Sequence, residues 1–372
     1  MTIRLGMVGG GEGAFIGAVH RIAARMDGYY TLVAGALSSD PARAAASGAA
    51  LGLDPERCYS DFAEMARAEA AREDGIEAVA IVTPNHLHFP MAEAFLKAGI
   101  HVICDKPMTT TLADAEALAA LVAETGLVFA LTHNYSGYPM VRQARQMVAD
   151  GLLGDIRVVI AEYAQDWLSE KLEDTGQKQA AWRTDPAQSG PGGALGDIGT
   201  HAYQLARFVT GLPFKVTSAE LDSFVEGRQL DDNVFIRMAA GKAKATLWAS
   251  QVAPGNENAL TLRVYGDKGG LHFRQEDPNE LWFTPLGGET RRITRNGAGA
   301  WPVAGRVSRV PSGHPEGYLE GFANIYTEVA RAIEAHRAGR APDPDVMFPT
   351  VEDGVDGVAF IEDAVRLSRA AG

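Results

Sequence analysis

The chain has 372 residues, 46% of them apolar, and carries 34 Lys and Arg against 47 Asp and Glu for a formal net charge of -13. That length suits two sizeable domains of ordinary globular composition, and the acidic balance excludes the basic face that a nucleic-acid partner needs. No run reaches the ~18 uninterrupted apolar residues of a membrane span, and the N-terminus enters a strand at once in place of a signal peptide, so a soluble cytoplasmic protein is expected. Cys58 and Cys104 are the two cysteines, which gives no disulfide framework and no cysteine metal site.

From the N-terminus, residues 3–8 form a short apolar strand that runs into Gly9-Gly10-Gly11-Glu12-Gly13-Ala14-Phe15-Ile16-Gly17 and then a helix over 18–26. Strand, glycine loop and helix in that order predict a dinucleotide site. Glycines permit positive φ and let a pyrophosphate approach backbone N–H groups at a helix N-terminus, where the macrodipole favours an anion. Gly9 and Gly11 fit the first two fingerprint positions, whereas Gly17 falls three residues beyond the third, which leaves Ala14 to serve there. Gly13, Phe15 and Ile16 complete the loop. A tight structural turn is the plainer reading of any lone glycine run.

Apolar runs over 31–37, 76–82, 101–104 and 127–131 alternate with helical patterns over 41–51, 61–73, 86–98 and 112–125, where Leu87, Met91 and Phe95 illustrate the spacing. Such alternation predicts a parallel sheet covered on both faces. The second strand is followed by Ser38, Ser39 and Asp40, where an acid would bind the ribose of NAD and an arginine the extra phosphate of NADP. Asp40 precedes Pro41 and reads as a helix cap, as does Asp54 before Pro55. Arg43 is near enough to make NADP the alternative to NAD, and these residues leave the choice between them open.

Asp105-Lys106-Pro107 closes the strand at 101–104, at the sheet edge where ligands of parallel α/β sheets gather. Pro107 restricts the Lys106 backbone to extended or turn geometry, which suits a fixed catalytic cation; a surface lysine beside a loop proline is the bland alternative.

Beyond Asn134 the pattern changes. After a helix over 139–149 come strands at 156–167, 215–225, 233–239, 243–252, 259–265, 270–274 and 280–283, joined by turns such as Gly266-Asp267-Lys268-Gly269 that fit antiparallel pairing. The domains are therefore placed at 1–133 and 134–372, with C-terminal helices able to pack back on the first. Within the second, Gly192-Gly193-Ala194-Leu195-Gly196-Asp197-Ile198-Gly199-Thr200-His201 sets Asp197 and His201 four apart, on one face of a helix. Histidine titrates near neutral pH and a carboxylate can orient it. The competing reading makes Asp197 an N-cap and His201 a core residue; a metal reading lacks a third ligand.

Together these motifs resemble the glucose-fructose oxidoreductase, inositol dehydrogenase and rhizopine-catabolism (Gfo/Idh/MocA) family over essentially the whole chain. The marks are the glycine loop with His20 nearby, Thr83-Pro84-Asn85-His86-Leu87-His88, a Glu-Lys-Pro motif written here Asp105-Lys106-Pro107, and the stretch ending at His201. The resemblance implies a Rossmann domain followed by an α+β domain on an open, mostly antiparallel sheet that often mediates oligomers, with the active site between them. It further implies that Lys106, Asp197 and His201 are catalytic. Thr83, Asn85, His88, Asp105 and Asn134 would then line the nicotinamide half of the cofactor site, with Pro84 and Lys106 as further cofactor-binding candidates. The stretched glycine loop and Asp105 in place of Glu are departures.

Within the family, the loop and the segment 176–183 look most like bacterial dehydrogenases of inositols and related sugars, in particular scyllo-inositol dehydrogenases that accept L-glucose. The expected reaction is NAD-dependent oxidation of a secondary hydroxyl of a cyclitol or sugar to the ketone or lactone, in a dimer or tetramer. His201 is the expected base and Lys106 the cation that steadies the alkoxide, although the two could exchange roles. Tyr135, Trp167, Lys178, Arg183 and His314 are candidates for holding a polyhydroxylated ring. An NAD-using glycosidase or lyase and a nucleotide-sensing regulator without turnover remain the alternatives.

Overall fold

The computed structural model describes residues 2–371, whose contacts group into two units: 2–134 with 319–355, and 135–318 with 356–371. In the first unit, β1 (Ile3–Gly9), α1 (Phe15–Met26), β2 (Tyr30–Ala36), α2 (Pro41–Ala50), α3 (Phe62–Ala70), β3 (Ala78–Val82), α4 (His88–Lys97), β4 (His101–Cys104), α5 (Leu112–Thr125) and β5 (Phe129–Leu131) alternate as the hydrophobic pattern predicts. The sheet runs β2-β1-β3-β4-β5, and every neighbouring pair is parallel. The central strands β3 and β4 are buried at every position, as in β3 with Ala78, Val79, Ala80, Ile81 and Val82, because helices cover both faces of a parallel sheet. Asp40 caps α2 by accepting from Arg43 N at 2.8 Å, and Asp54 caps the short 3-10 turn Pro55–Arg57.

The second unit opens with α6 (Pro139–Ala149) and β6 (Ile156–Ala164), then the short helices α7 (Lys178–Arg183) and α8 (Pro186–Ser189), and α9 (Thr200–Thr210). Strands β7 (Lys215–Asp222), β8 (Asn233–Ala240), β9 (Ala243–Ser250), β10 (Ala259–Gly266), β11 (Gly269–Arg274), β12 (Glu280–Pro285) and β13 (Arg291–Thr294) follow, then α10 (Pro302–Gly305). Eight strands form one sheet ordered β13-β12-β11-β10-β6-β9-β8-β7, antiparallel except for the β6–β9 pair. β6 and β9 end at Ala164 and Ser250, short of the 167 and 252 that apolar patterning suggests, and just beyond them the Gln165 and Gln251 side chains donate to Asn258 and Asp197.

Two long helices complete the chain: α11 (Tyr318–Arg337) and α12 (Val351–Ala371). Within the first unit, Tyr326 of α11 meets His20 of α1, whose Nδ1 lies 2.8 Å from its hydroxyl, and Leu131 N donates to Pro349 O at 2.9 Å at the edge of β5. In the second unit, Phe360 of α12 stacks on Tyr203 of α9 at 4.1 Å. No helix among the described residues is long and apolar enough to cross a membrane.

Candidate active site

The glycine loop divides its labour in a way spacing alone does not reveal. Gly9 and Gly10 turn the chain at φ 78° and 70°, a region glycine enters without steric cost. A Cβ on Gly17 would stand 2.4 Å from Gly10 Cα, so Gly17, not Ala14, makes the close helix–strand contact of the third fingerprint glycine. Gly11 is also a packing glycine, since its Cβ would meet Leu37 O at 2.6 Å. Gly13 differs: its φ is 78° and nothing lies within 4 Å of an added Cβ. Arg21 Nη1 donates to Gly10 O at 2.6 Å and braces the turn, a contact four residues past Gly17 that no motif announces.

Three observations fit a dinucleotide in this unit. The backbone is open at Gly13, the first turn of α1 has no side-chain cap, and the buried Asn134 Nδ2 has no hydrogen-bond partner. The N–H groups of an uncapped first turn suit a pyrophosphate. Phe15 is 67% exposed beside them. At the end of β2, Ser38 is half-buried and Ser39, Asp40 and Arg43 are exposed; one Asp40 carboxylate oxygen is occupied by its capping bond.

After β3, Thr83 and Pro84 are half-buried and Asn85 is buried. His88 is fully buried, with Nδ1 2.8 Å from Pro107 O and Nε2 2.9 Å from Thr83 O, so its ring ties these two loops together. At the end of β4, Asp105 Oδ1 accepts from Lys106 N at 2.9 Å and from Thr132 Oγ1 at 3.0 Å. The shorter acid therefore grips the lysine's backbone. Burial pulls His20 down to about 4 and His133 to about 3, with Asp105 opposing both shifts. These imidazoles are neutral near pH 7.

In the second unit, Asp197 lies in a π-helical turn, Leu195–Gly199, which runs into α9 and its His201. Such turns recur at functional sites. Asp197 is not a cap: its Oδ2 accepts from Gln251 Nε2 at 2.8 Å and pairs with Arg183 Nε at 3.2 Å. Arg183 also lies over the Trp182 ring at 4.3 Å, which fixes the guanidinium. His201 is 8% exposed and its ring meets that of Tyr135 edge-on at 4.9 Å. The Tyr135 hydroxyl is 2.6 Å from that of Tyr163, which donates to Asn258 Oδ1 at 2.7 Å.

Of the ring-holding candidates, Arg183 and Tyr135 gather at Asp197 and His201. Trp167 is half-buried, with Nε1 donating to Gln165 Oε1 at 3.0 Å. Lys178 and His314 are exposed, and no side-chain hydrogen bond of theirs reaches that cluster among the described residues. Tyr163 of β6, Gln251 just past β9 and Asn258 just before β10 join the cluster from far away in sequence, where no local spacing marks them. No group of three metal-ligating side chains occurs among the described residues.

A parallel sheet with a glycine loop at its first strand end, followed in the chain by an open sheet bearing an Asp–His helix, defines a dinucleotide-linked oxidoreductase. Residues 3–133 match the oxidoreductase family with an NAD-binding Rossmann fold, and residues 141–272 match the GFO/IDH/MocA C-terminal domain. The chain belongs to the Gfo/Idh/MocA oxidoreductase family. It is similar to the crystal structure of an oxidoreductase from Sinorhizobium meliloti, with 58% identity, TM-score 0.91 and coverage of 100% of this chain and 99% of that one. An inositol dehydrogenase homolog from Azotobacter vinelandii, complexed with NADH and myo-inositol, is 36% identical with TM-score 0.92 over 100% and 97%. A levoglucosan dehydrogenase from Pseudarthrobacter phenanthrenivorans is 28% identical over 412 residues, covering 99% of this chain and 96% of that protein.

Proposed function

We propose that this oxidoreductase uses NAD to oxidise a secondary hydroxyl of a cyclitol or a closely related sugar. The observation that carries the reading is Asp197 clamped by Arg183 and Gln251 one helical turn before His201, a polar array suited to a neutral polyol. The likeness to a homolog complexed with NADH and myo-inositol supports the substrate class.

A secondary alcohol must lose its hydroxyl proton as a hydride leaves the same carbon. When bound, NAD supplies the hydride acceptor. His201 takes the hydroxyl proton, Lys106 stabilises the developing alkoxide, and Asp197 orients the ring by accepting from it. Lys106 and His201 exchange these roles in the alternative assignment. Gly13 and the first turn of α1 bind the pyrophosphate, while Thr83, Pro84, Asn85, Asp105 and Asn134 border the nicotinamide half, with His88 holding their loops. Ser38 and Ser39 favour the ribose of NAD.

On the open sheet, Val158, Phe235, Tyr265 and Trp282 are each more than a third exposed, and the strand registers bring them to one face. Such a face supports a homo-oligomer.

The test is a screen of NAD and NADP reduction over inositols, D- and L-sugars and anhydrosugars. Net NADH formation with a free inositol or sugar is expected. Turnover of a glycoside without net NADH would favour the glycosidase or lyase reading, and binding without turnover would favour a regulator.

A further inference from the structure

We propose that Asp231 is a positioning residue for the Asp197–His201 helix, which it holds by three consecutive backbone N–H groups. Its Oδ1 accepts from Gly193 N, its Oδ2 from Leu195 N and its backbone carbonyl from Ala194 N, each at 2.8 Å. The first N–H groups of a helix have no partner inside the helix and need an outside acceptor, and the macrodipole favours a negative one. Asp231 satisfies them from 36 to 38 residues away in sequence, just before β8. Gly193 makes the approach possible, because a Cβ there would stand 2.1 Å from Asp231 O.

The neighbouring acid does a separate task. The Asp232 carboxylate accepts from Phe224 N, Val225 N and Arg228 Nη1 at 2.9, 3.1 and 3.1 Å, so it is committed to its own loop. Its carbonyl accepts from Gln251 N at 2.8 Å, and the Gln251 side chain donates to Asp197. Residues 231 and 232 thus reach Asp197 twice: through the backbone that carries it and through the amide that fixes its carboxylate. Asp231 touches neither reacting group and acts only through their placement. The inference rests on the reading that Asp197 and His201 serve the chemistry.

Asp231→Asn keeps one acceptor oxygen and sets an amide N–H against the second backbone donor; Asp231→Ser keeps one acceptor in less volume and serves if the first variant fails to fold. With NAD and myo-inositol, kcat should fall roughly tenfold or more while KM stays within about threefold and NADH affinity holds. Amide hydrogen exchange should quicken in the peptide spanning 193–201 and not in strands β6, β9 and β10. Unchanged exchange in that peptide, or kcat within about twofold of the unaltered protein, overturns the proposal. If the unaltered protein oxidises no inositol, sugar or anhydrosugar, the proposed function fails instead, and the exchange measurement still decides whether Asp231 holds the helix.

Discussion

Gly17 lies against Gly10 so closely that a Cβ on the helix residue would fall 2.4 Å from the Cα of the loop residue and 2.5 Å from its carbonyl oxygen. That contact separates glycines that shape the turn from the one positioned to face a ligand. Gly17→Ala should therefore force the helix and the loop apart, destabilise the fold by about 1–3 kcal/mol in the manner of overpacking, and lower the melting temperature sharply. Gly13→Ala meets no atom and incurs only the left-handed backbone penalty of about 1–2 kcal/mol, yet it should weaken NAD binding. Thermal melts with calorimetric NAD titration check both. A Gly13→Ala protein with undiminished affinity would remove this residue from the pyrophosphate site. Gly11 is unsuited to the same test, since its substitution strikes Leu37 O and reports on folding.

Cofactor choice turns on the exposed group at the end of β2. Because one Asp40 oxygen is engaged with Arg43 N and Ser38 Oγ accepts from Asp40 N at 3.2 Å, the turn is built from its own side chains. We expect a larger kcat/KM with NAD than with NADP at equal substrate. A preference for NADP that disappears in Arg43→Ala would reverse the expectation and identify Arg43 as the phosphate ligand.

The order of elements, the parallel sheet and the Asp–His spacing are legible in the sequence because each rests on local periodicity or a short motif. Gly17 is not legible in its packing role, since a fingerprint counts residues while the contact depends on where the loop folds back. Gln251, Asp231 and Asn258 are hidden for a different reason. Each sits just beyond a strand end and meets the candidate site 36 or more residues away in sequence, and nothing near it distinguishes it from an ordinary strand-end polar residue.

Buried neutral histidines make stability depend on pH in a defined sense. His20 and His101 are held down at about 4 and His133 at about 3, all chiefly by burial. Between those values and the unfolded value of roughly 6.5 the unfolded chain binds more protons, so stability is present above that range and is lost as pH falls through it. Asp231, raised to about 6 by burial with the Asp232 charge adding to the shift, acts oppositely and offsets one of the three. The urea midpoint should fall from pH 7 to pH 5, with His133→Gln flattening the slope by up to about 1.4 kcal/mol per pH unit. A midpoint that rises on acidification would contradict the neutral assignment.

The chemical step provides the most direct test. If Lys106 and His201 act on a neutral polyol, their contribution grows as the alkoxide develops, so Lys106→Ala and His201→Ala should each lower kcat by roughly 10²- to 10⁴-fold while NAD affinity changes far less. Asp197→Asn keeps the shape but weakens the pairing with Arg183 Nε at 3.2 Å, so it should raise KM and lower kcat together. Structural roles predict a different pattern: Lys106→Ala nearly silent, and His201→Ala, which removes a ring packed at 4.9 Å on Tyr135, visible mainly as a lower melting temperature. Steady-state kinetics alongside thermal melts separate the two patterns, and near-normal turnover in both alanine variants would remove Lys106 and His201 from the mechanism.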